Sequence, residues 1–391
     1  MTNPKLRWGI LSTANIARAA VIPAIQHSTN GEVLAVASRD AQKAHDFAAR
    51  TGIGRSYGSY EALLAAPDID AIYIALPNSL HCEWSIKAAE AGKHVLCEKP
   101  LALDAAECAQ MEDAARRHGV VLMEAFMYGF HPQTVAVIAL LREGALGELR
   151  LIHSAFTFRV GNPANIRLQP DLGGGALMDV GCYCVNVSRT LAAQQHSGLE
   201  PAASRETASS RPRGSAAGSE PAASRETASS RPRGSAAGGE PAARWAEPEE
   251  VQATANWTDS GVDGQMAGWL RFSGGLLATF DCALTVERRE YYELAGSEGT
   301  LLVPVAFLPG SGDTVLRLRQ KGKGERMLTI AGADEYRLMV EHFAACVLEG
   351  AALRYPPSEA AANMRALSAL YRSARNGGRP EKPAGAVAGL A

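Results

Sequence analysis

Three residues have the types and spacing to move a proton. Lys99 leaves an apolar run (HVLCEKP) directly before Pro100, so a rigid ring fixes the direction of the chain beside its ammonium group. Asp179 and Tyr183 follow the turn Gly173-Gly174-Gly175 at positions i and i+4 of a helical stretch, which puts both on one face. Oxidising a hydroxyl or reducing a carbonyl by hydride transfer requires an acid or base at the oxygen. A phenol serves if a nearby ammonium favours the phenolate. Taken without context, the favoured reading makes Tyr183 a core aromatic and Asp179 a charge near a helix start.

A second group of residues has the spacing of a dinucleotide-binding turn. WGILSTANIA runs from an apolar strand into a helix and places Ser12, Ala14 and Ala17 where a G-x-G-x-x-G fingerprint needs small residues, so that a pyrophosphate can approach the helix N-terminus. Thr13, Asn15 and Ile16 complete that turn. About 20 residues later VLAVASRD ends the next strand, where the adenosine ribose is read. Ser38 and Arg39 offer a hydroxyl and a cation for a 2′-phosphate, and Asp40 competes as a reader of a 2′-hydroxyl. The expected cofactor is NADP, with NAD the alternative. Further cofactor contacts are expected where the next strands release the chain, at Leu76, Pro77, Asn78 and His81 and at Glu98 and Lys99. His81 is also readable as an ordinary polar residue at a helix start.

The elements that must position these groups change character along the chain. Up to Cys97 short apolar strands alternate with helical stretches, the pattern of βαβ units and a parallel doubly wound sheet. From Leu149 onward long alternating runs (LRLIHSAFTF, VQATANWT, MAGWLRFSGG, LLATFDCALTV) predict a mainly antiparallel sheet with one face on helices. One helix interrupts over Asp179 to Leu191, and two amphipathic helices, Glu335 to Leu348 and Ser358 to Arg375, close the chain, the last with Ser358 as its expected N-cap. The fold class is therefore α/β followed by α+β: a Rossmann domain over 1–125 and a second domain over 126–391, for which a substrate and oligomerisation role is expected from the resemblance described below. Within the latter, 192–249 is an insertion in which EPAASRETASSRPRGSAAGS (200–219) repeats almost perfectly at 220–239, with no aliphatic residue larger than Ala and no aromatic between Leu199 and Trp245. Such a composition predicts a disordered loop.

Composition removes several function classes. The chain has 391 residues, 47% of them hydrophobic and 20% charged, and its 39 basic against 41 acidic residues give a net charge of -2. No basic stripe with interleaved aromatics points to nucleic acid. No apolar run is long enough to span a membrane, and a cytoplasmic location is expected. Seven scattered cysteines form no metal-ligand pattern and read as reduced, mostly buried thiols.

EKPLALD, EAFMYGFHPQ (124–133), NIRLQPDLGGGALMDVGCYCVNVSR (165–189) and AANMRALSALYRSARNG resemble the glucose-fructose oxidoreductase / inositol dehydrogenase (Gfo/Idh/MocA) family, in the branch of dimeric dihydrodiol dehydrogenases and NADP-dependent xylose dehydrogenases. The resemblance covers nearly the whole chain outside 192–249. It implies a nicotinamide cofactor between the two domains, a catalytic Lys99, and a site completed by Asp179 and Tyr183. Many relatives carry His at the Tyr183 position, which leaves open whether Tyr183 or Lys99 carries the proton, and Gly129 stands where relatives often have Arg. The expected activity is NADP-dependent hydride transfer at a hydroxyl or carbonyl of a sugar, polyol or cyclic trans-diol, with Phe126, Phe158, Arg167 and Tyr336 around the substrate. Other readings are a silent dinucleotide-binding sensor or scaffold, and a redox-neutral nicotinamide-dependent glycosidase. Association as a homodimer or homotetramer through the C-terminal sheet is expected.

Overall fold

A computed structural model of the chain describes residues 4–194 and 245–383. The tandem repeat at 200–239 lies outside the described residues.

Strands β1 (Leu6–Leu11), β2 (Gly31–Ala37), β3 (Arg55–Tyr57), β4 (Ala71–Ile74), β5 (His94–Cys97) and β6 (Leu122–Glu124) form one parallel sheet in the order β3-β2-β1-β4-β5-β6. Helices α1 (Ile22–His27), α2 (Ala41–Thr51), α3 (Tyr60–Leu64), α4 (His81–Glu90) and α5 (Ala105–His118) alternate with the strands along the chain. This is the expected Rossmann arrangement. β4 is buried at all four positions, as a central parallel strand must be. The strand order reverses between β1 and β4, so a crevice opens outside their C-terminal ends, where Ser12–Asn15 and Ala75–Asn78 leave the sheet. The three-residue edge strand β3 was not expected, being too short to show a period.

After α6 (Pro132–Arg142) the chain builds an eight-stranded sheet from β7 (Leu149–Arg159), β8 (Glu250–Trp257), β9 (Asp263–Arg271), β10 (Leu277–Ala283), β11 (Thr285–Gly296), β12 (Gly299–Val303), β13 (Thr314–Gln320) and β14 (Gly324–Ile330). Its order is β14-β13-β12-β11-β7-β10-β9-β8, antiparallel except for the β7–β10 pair. α6 was also unforeseen, because PQTVAVIALLR is apolar on nearly every side and shows little periodicity. Helix α7 (Cys182–Ala192) lies against β7 and β10.

The last two helices do not stay with the second sheet. α8 (Glu335–Leu348) returns to the first domain, where Phe343 packs on Trp8 of β1 at 5.1 Å and Glu341 accepts a hydrogen bond from the Thr29 amide. α9 (Pro357–Arg375) packs on α5 and on β8. Both helices thus make contacts across the 125/126 boundary. α9 begins one residue earlier than expected: Pro357 occupies its first turn and Pro356 the cap position, so Ser358 is not the N-cap. All seven cysteines are buried free thiols, and among the described residues no helix is long and apolar enough to cross a membrane.

Candidate active site

A cleft of about 430 Å³ runs from the β1 turn to the helix behind the glycine turn, lined by Ala14, Asn15, Ile16, Leu76 and Asn78 on one side and by Phe158, Arg167, Asp179, Tyr183 and Tyr336 on the other, with Glu98 and Lys99 between them. The helices on both sides open with a π-turn, Ala17–Val21 before α1 and Leu177–Gly181 before α7, a widened geometry that recurs at functional sites.

Lys99 follows β5, and its peptide bond to Pro100 is cis. Its ammonium donates to the Asp179 carbonyl at 2.7 Å and to Asp179 Oδ1 at 3.3 Å. Arg167 Nε donates to the other carboxylate oxygen at 2.6 Å while its guanidinium lies over the Phe158 ring. One carboxylate thus separates two cations. Burial alone would pull the Lys99 ammonium down, but Asp179, with Cys182 and Glu98, holds it above the ordinary lysine range. Burial pushes the Asp179 carboxyl up, and Lys99 and Arg167 more than reverse this, leaving it below the ordinary range. Glu98 behaves differently: burial raises its carboxyl despite Lys99 and a 2.5 Å hydrogen bond from the Tyr73 hydroxyl.

Tyr183 departs from the geometry expected of an ammonium-tuned phenol. Lys99 Nζ sits 5.0 Å from the centre of the ring, over its face, and the hydroxyl donates to Met127 Sδ at 3.4 Å. Burial holds the phenol well above its ordinary range, with Tyr336 and Glu98 pushing the same way. The ring is seated among Phe126, Phe156 and Phe307, 5.2 to 5.4 Å away.

Several expected contacts lie elsewhere. Phe126 does not line the cleft; it is fully buried, edge-on beneath Tyr183. His81 is fully buried, its ring nitrogens each 2.9 Å from a carbonyl, of Pro100 and of Leu76. It braces the Lys99 loop against the loop after β4. Pro77, Ser12 and Thr13 are not among the residues that line the cleft. Ser12 takes the first fingerprint position at φ 103°, a conformation that favours glycine, and its amide is bonded to the Ala37 carbonyl. Asn78 lines the cleft and also donates to the Gly173 carbonyl at 2.8 Å, tying the two domains together. Arg288, Met127, Phe156 and Leu308 line the cleft and were missed, since nothing local marks these strand and loop residues as facing it.

Two ambiguous positions acquire reasons. Asp40 accepts from the Gln42 and Lys43 amides at 3.0 Å as the N-cap of α2, so its carboxylate is engaged, while Arg39 beside it is exposed. A Cβ on Gly129 would fall 1.8 Å from the Tyr355 hydroxyl oxygen. Tyr355 fills that space, and the neighbouring Arg354 donates to the Gly129 carbonyl at 3.1 Å.

The residues at the β1 turn fit a dinucleotide: Ala14 is small, Ala17 is fully buried where the helix meets the sheet, and the crevice sits at the strand-order reversal. Comparison with known proteins agrees. Residues 6–126 match the Gfo/Idh/MocA oxidoreductase model with an NAD-binding Rossmann fold, and 134–206 match the C-terminal domain model of the same family. A D-xylose 1-dehydrogenase (NADP(+)) from Haloferax volcanii is 35% identical over 379 residues, 96% of this chain and 99% of that protein. A trans-1,2-dihydrobenzene-1,2-diol dehydrogenase from Danio rerio is 33% identical, covering 76% of this chain and 74% of its own. A crystal structure of a 3-ketoreductase from Actinomadura kijaniata with NADP and TDP-benzene superposes with a TM-score of 0.78 at 28% identity, covering 95% of this chain and 98% of the other. Sequence, fold and cleft together make this chain a member of the Gfo/Idh/MocA family of NAD(P)-dependent dehydrogenases and reductases.

Proposed function

We propose that the chain transfers hydride between NADP and a hydroxyl or carbonyl carbon of a sugar, polyol or cyclic trans-diol, with Lys99 and Tyr183 as one acid/base unit and Asp179 orienting it. The observation that carries this reading is the Lys99 ammonium held at a carboxylate, inside a cleft continuous with the dinucleotide turn. An ammonium has three N–H donors. Two point at Asp179, which leaves the third for a substrate oxygen. A bound nicotinamide supplies the hydride or accepts it. Lys99 supplies or receives the proton at the oxygen, Arg167 keeps Asp179 charged, and the Tyr183 ring supports Lys99 from below. With both Lys99 and Tyr183 held in their protonated forms, the site favours proton donation to a carbonyl at neutral pH. Support comes from the A. kijaniata 3-ketoreductase, for which variants at one lysine and one tyrosine have been crystallised; their separation along that chain equals that of Lys99 and Tyr183 here.

The NADP preference rests on exposed Arg39 and on the engagement of Asp40 as a helix cap. We also propose association of copies through the face of the second sheet that the described residues leave uncovered, where Leu151 and Leu277 are register neighbours and 51% and 38% exposed.

The test is a panel of aldoses, inositols and trans-dihydrodiols, with their carbonyl counterparts, followed by the absorbance of NADPH. At least one class is expected to react, and Lys99→Met to lower its kcat by about 10² to 10⁴ with NADP binding unchanged. Near-wild-type turnover in Lys99→Met would overturn the assignment.

A further inference from the structure

The helix that bears Asp179 is held by a carboxylate from the far end of the second sheet. Asp263 opens β9 and is 1% exposed. One of its oxygens accepts the Leu177 amide at 2.7 Å and the other accepts the Tyr371 hydroxyl of α9 at 2.7 Å. The first amides of a helix have no partner within it, so a buried Leu177 N–H needs an outside acceptor. Gly175, at φ 125°, passes so close that a Cβ there would stand 2.1 Å from Asp263 Oδ1 and 2.8 Å from the Tyr371 oxygen. Only glycine lets the turn reach the carboxylate. The Gly175 carbonyl in turn accepts the Asp179 amide at 3.0 Å.

We infer that Asp263 is a positioning residue for proton transfer: anchored by Tyr371, its carboxylate fixes the first turn of the catalytic helix so that Asp179 meets Lys99 and Arg167 together. The inference rests on the proposed role of Lys99 and Asp179. Asp263 does not line the cleft, so it acts on kcat and not on cofactor binding. The groups that face it are Tyr371 and Arg375 of α9, Cys282 of β10 and the Leu177 amide. Burial pushes its carboxyl up to about 6, against the hydrogen bonds from Tyr371 and Leu177. Protonation puts a hydrogen where both neighbours already donate, so either Tyr371 turns its hydroxyl or one bond is lost. Activity should therefore fall on the acid side near pH 6.

Asp263→Asn keeps the size and one acceptor oxygen but cannot ionise, and Tyr371→Phe removes only the hydroxyl. For both variants and the parent, kcat, KM and NADP affinity are measured from pH 5 to 9, together with hydrogen exchange of the segment 176–183. In Asp263→Asn we expect kcat lowered about tenfold, KM and NADP affinity within threefold, the acid limb near pH 6 abolished, and exchange of 176–183 accelerated. In Tyr371→Phe the acid limb should persist and move to higher pH, because a bond favouring the carboxylate is gone; this variant decides the matter if Asp263→Asn does not fold. A parental acid limb retained in Asp263→Asn, or unmoved in Tyr371→Phe, overturns the inference. If no substrate on the panel turns over, the exchange arm still decides: unchanged exchange overturns the positioning role, whereas faster exchange upholds it and the failure belongs to the substrate assignment.

Discussion

Replacing Asp179 with Asn should convert Lys99 from a permanent ammonium into a group that loses its proton within the working pH range. In the parent, Asp179 Oδ1 stands 3.3 Å from Lys99 Nζ, and each side chain is only 13% exposed. Two unit charges at that distance attract by about 5 kcal/mol at an effective dielectric near 20. Asn retains the backbone carbonyl at 2.7 Å and a weaker amide contact, so part of the stabilisation survives. What remains is burial, which opposes the charged amine, and Arg167, which repels it, against Cys182 and Glu98, which still favour it. Arg167 is 37% exposed and has room to turn toward water once its partner is gone. With about 1.4 kcal/mol per pH unit, the alkaline limb of carbonyl reduction should move down by about 2 units or more. The assay is NADPH oxidation with the reactive carbonyl from the panel between pH 6 and 10.5, paired with the reactivity of Lys99 toward an amine-selective reagent. Asp179→Asn should retain measurable turnover at pH 6, lose it steeply by pH 9, and show a more reactive Lys99 at neutral pH. A uniform loss at every pH, with the limb in its parental place and Lys99 reactivity unchanged, would refute the argument that Asp179 sets the charge of Lys99.

Arg39→Ala should weaken NADP binding by about 1.5 to 3 kcal/mol, roughly tenfold to hundredfold, and leave NAD nearly unaffected, as measured by fluorescence titration with each cofactor. Burial raises the Glu124 carboxyl to about 8, so the folded chain binds a proton there that the unfolded chain releases near pH 4.5. Stability should accordingly fall as pH rises through that window. Glu124→Gln keeps an acceptor for the Leu101 amide and should flatten the fall, raising stability above pH 8 by at most about 5 kcal/mol in denaturant titrations. Deleting 200–239 should leave turnover unchanged and the melting temperature within a few degrees. Both flanks are anchored, through Arg142 bonded to Gln194 and through the Ala246 amide bonded to the Arg189 carbonyl, and loop closure costs only about 0.6 kcal/mol per doubling of length. Loss of folding on deletion would show that the segment is structural.

What the sequence determined by itself is what depends on local pattern. Strands alternating with helices specify a parallel sheet, and the register of small residues at Ser12, Ala14 and Ala17 marks where its first turn opens. The Pro beside Lys99 and the glycines before Asp179 likewise announce groups held in fixed directions, because ring closure and the absence of a Cβ act within a residue or two. Alternation of period two made the second sheet legible, whereas uniformly apolar α6 and three-residue β3 carry no period and were not.

Tertiary structure decided which of the named groups meet and in what state. Asp179 and Tyr183 were readable as a helical pair, yet only the fold sets Lys99 over the face of the Tyr183 ring instead of at its hydroxyl, and burial, with Tyr336 and Glu98, raises that phenol where an ammonium alone would lower it. His81 reads as a polar residue near a cofactor, and the fold gives it two carbonyl partners far from solvent. Asp263 and Leu177 are 86 residues apart, so no local rule connects them. Charge state and contact depend on desolvation and on distances between segments remote in the chain, quantities that exist only once both sheets and the returning helices are packed.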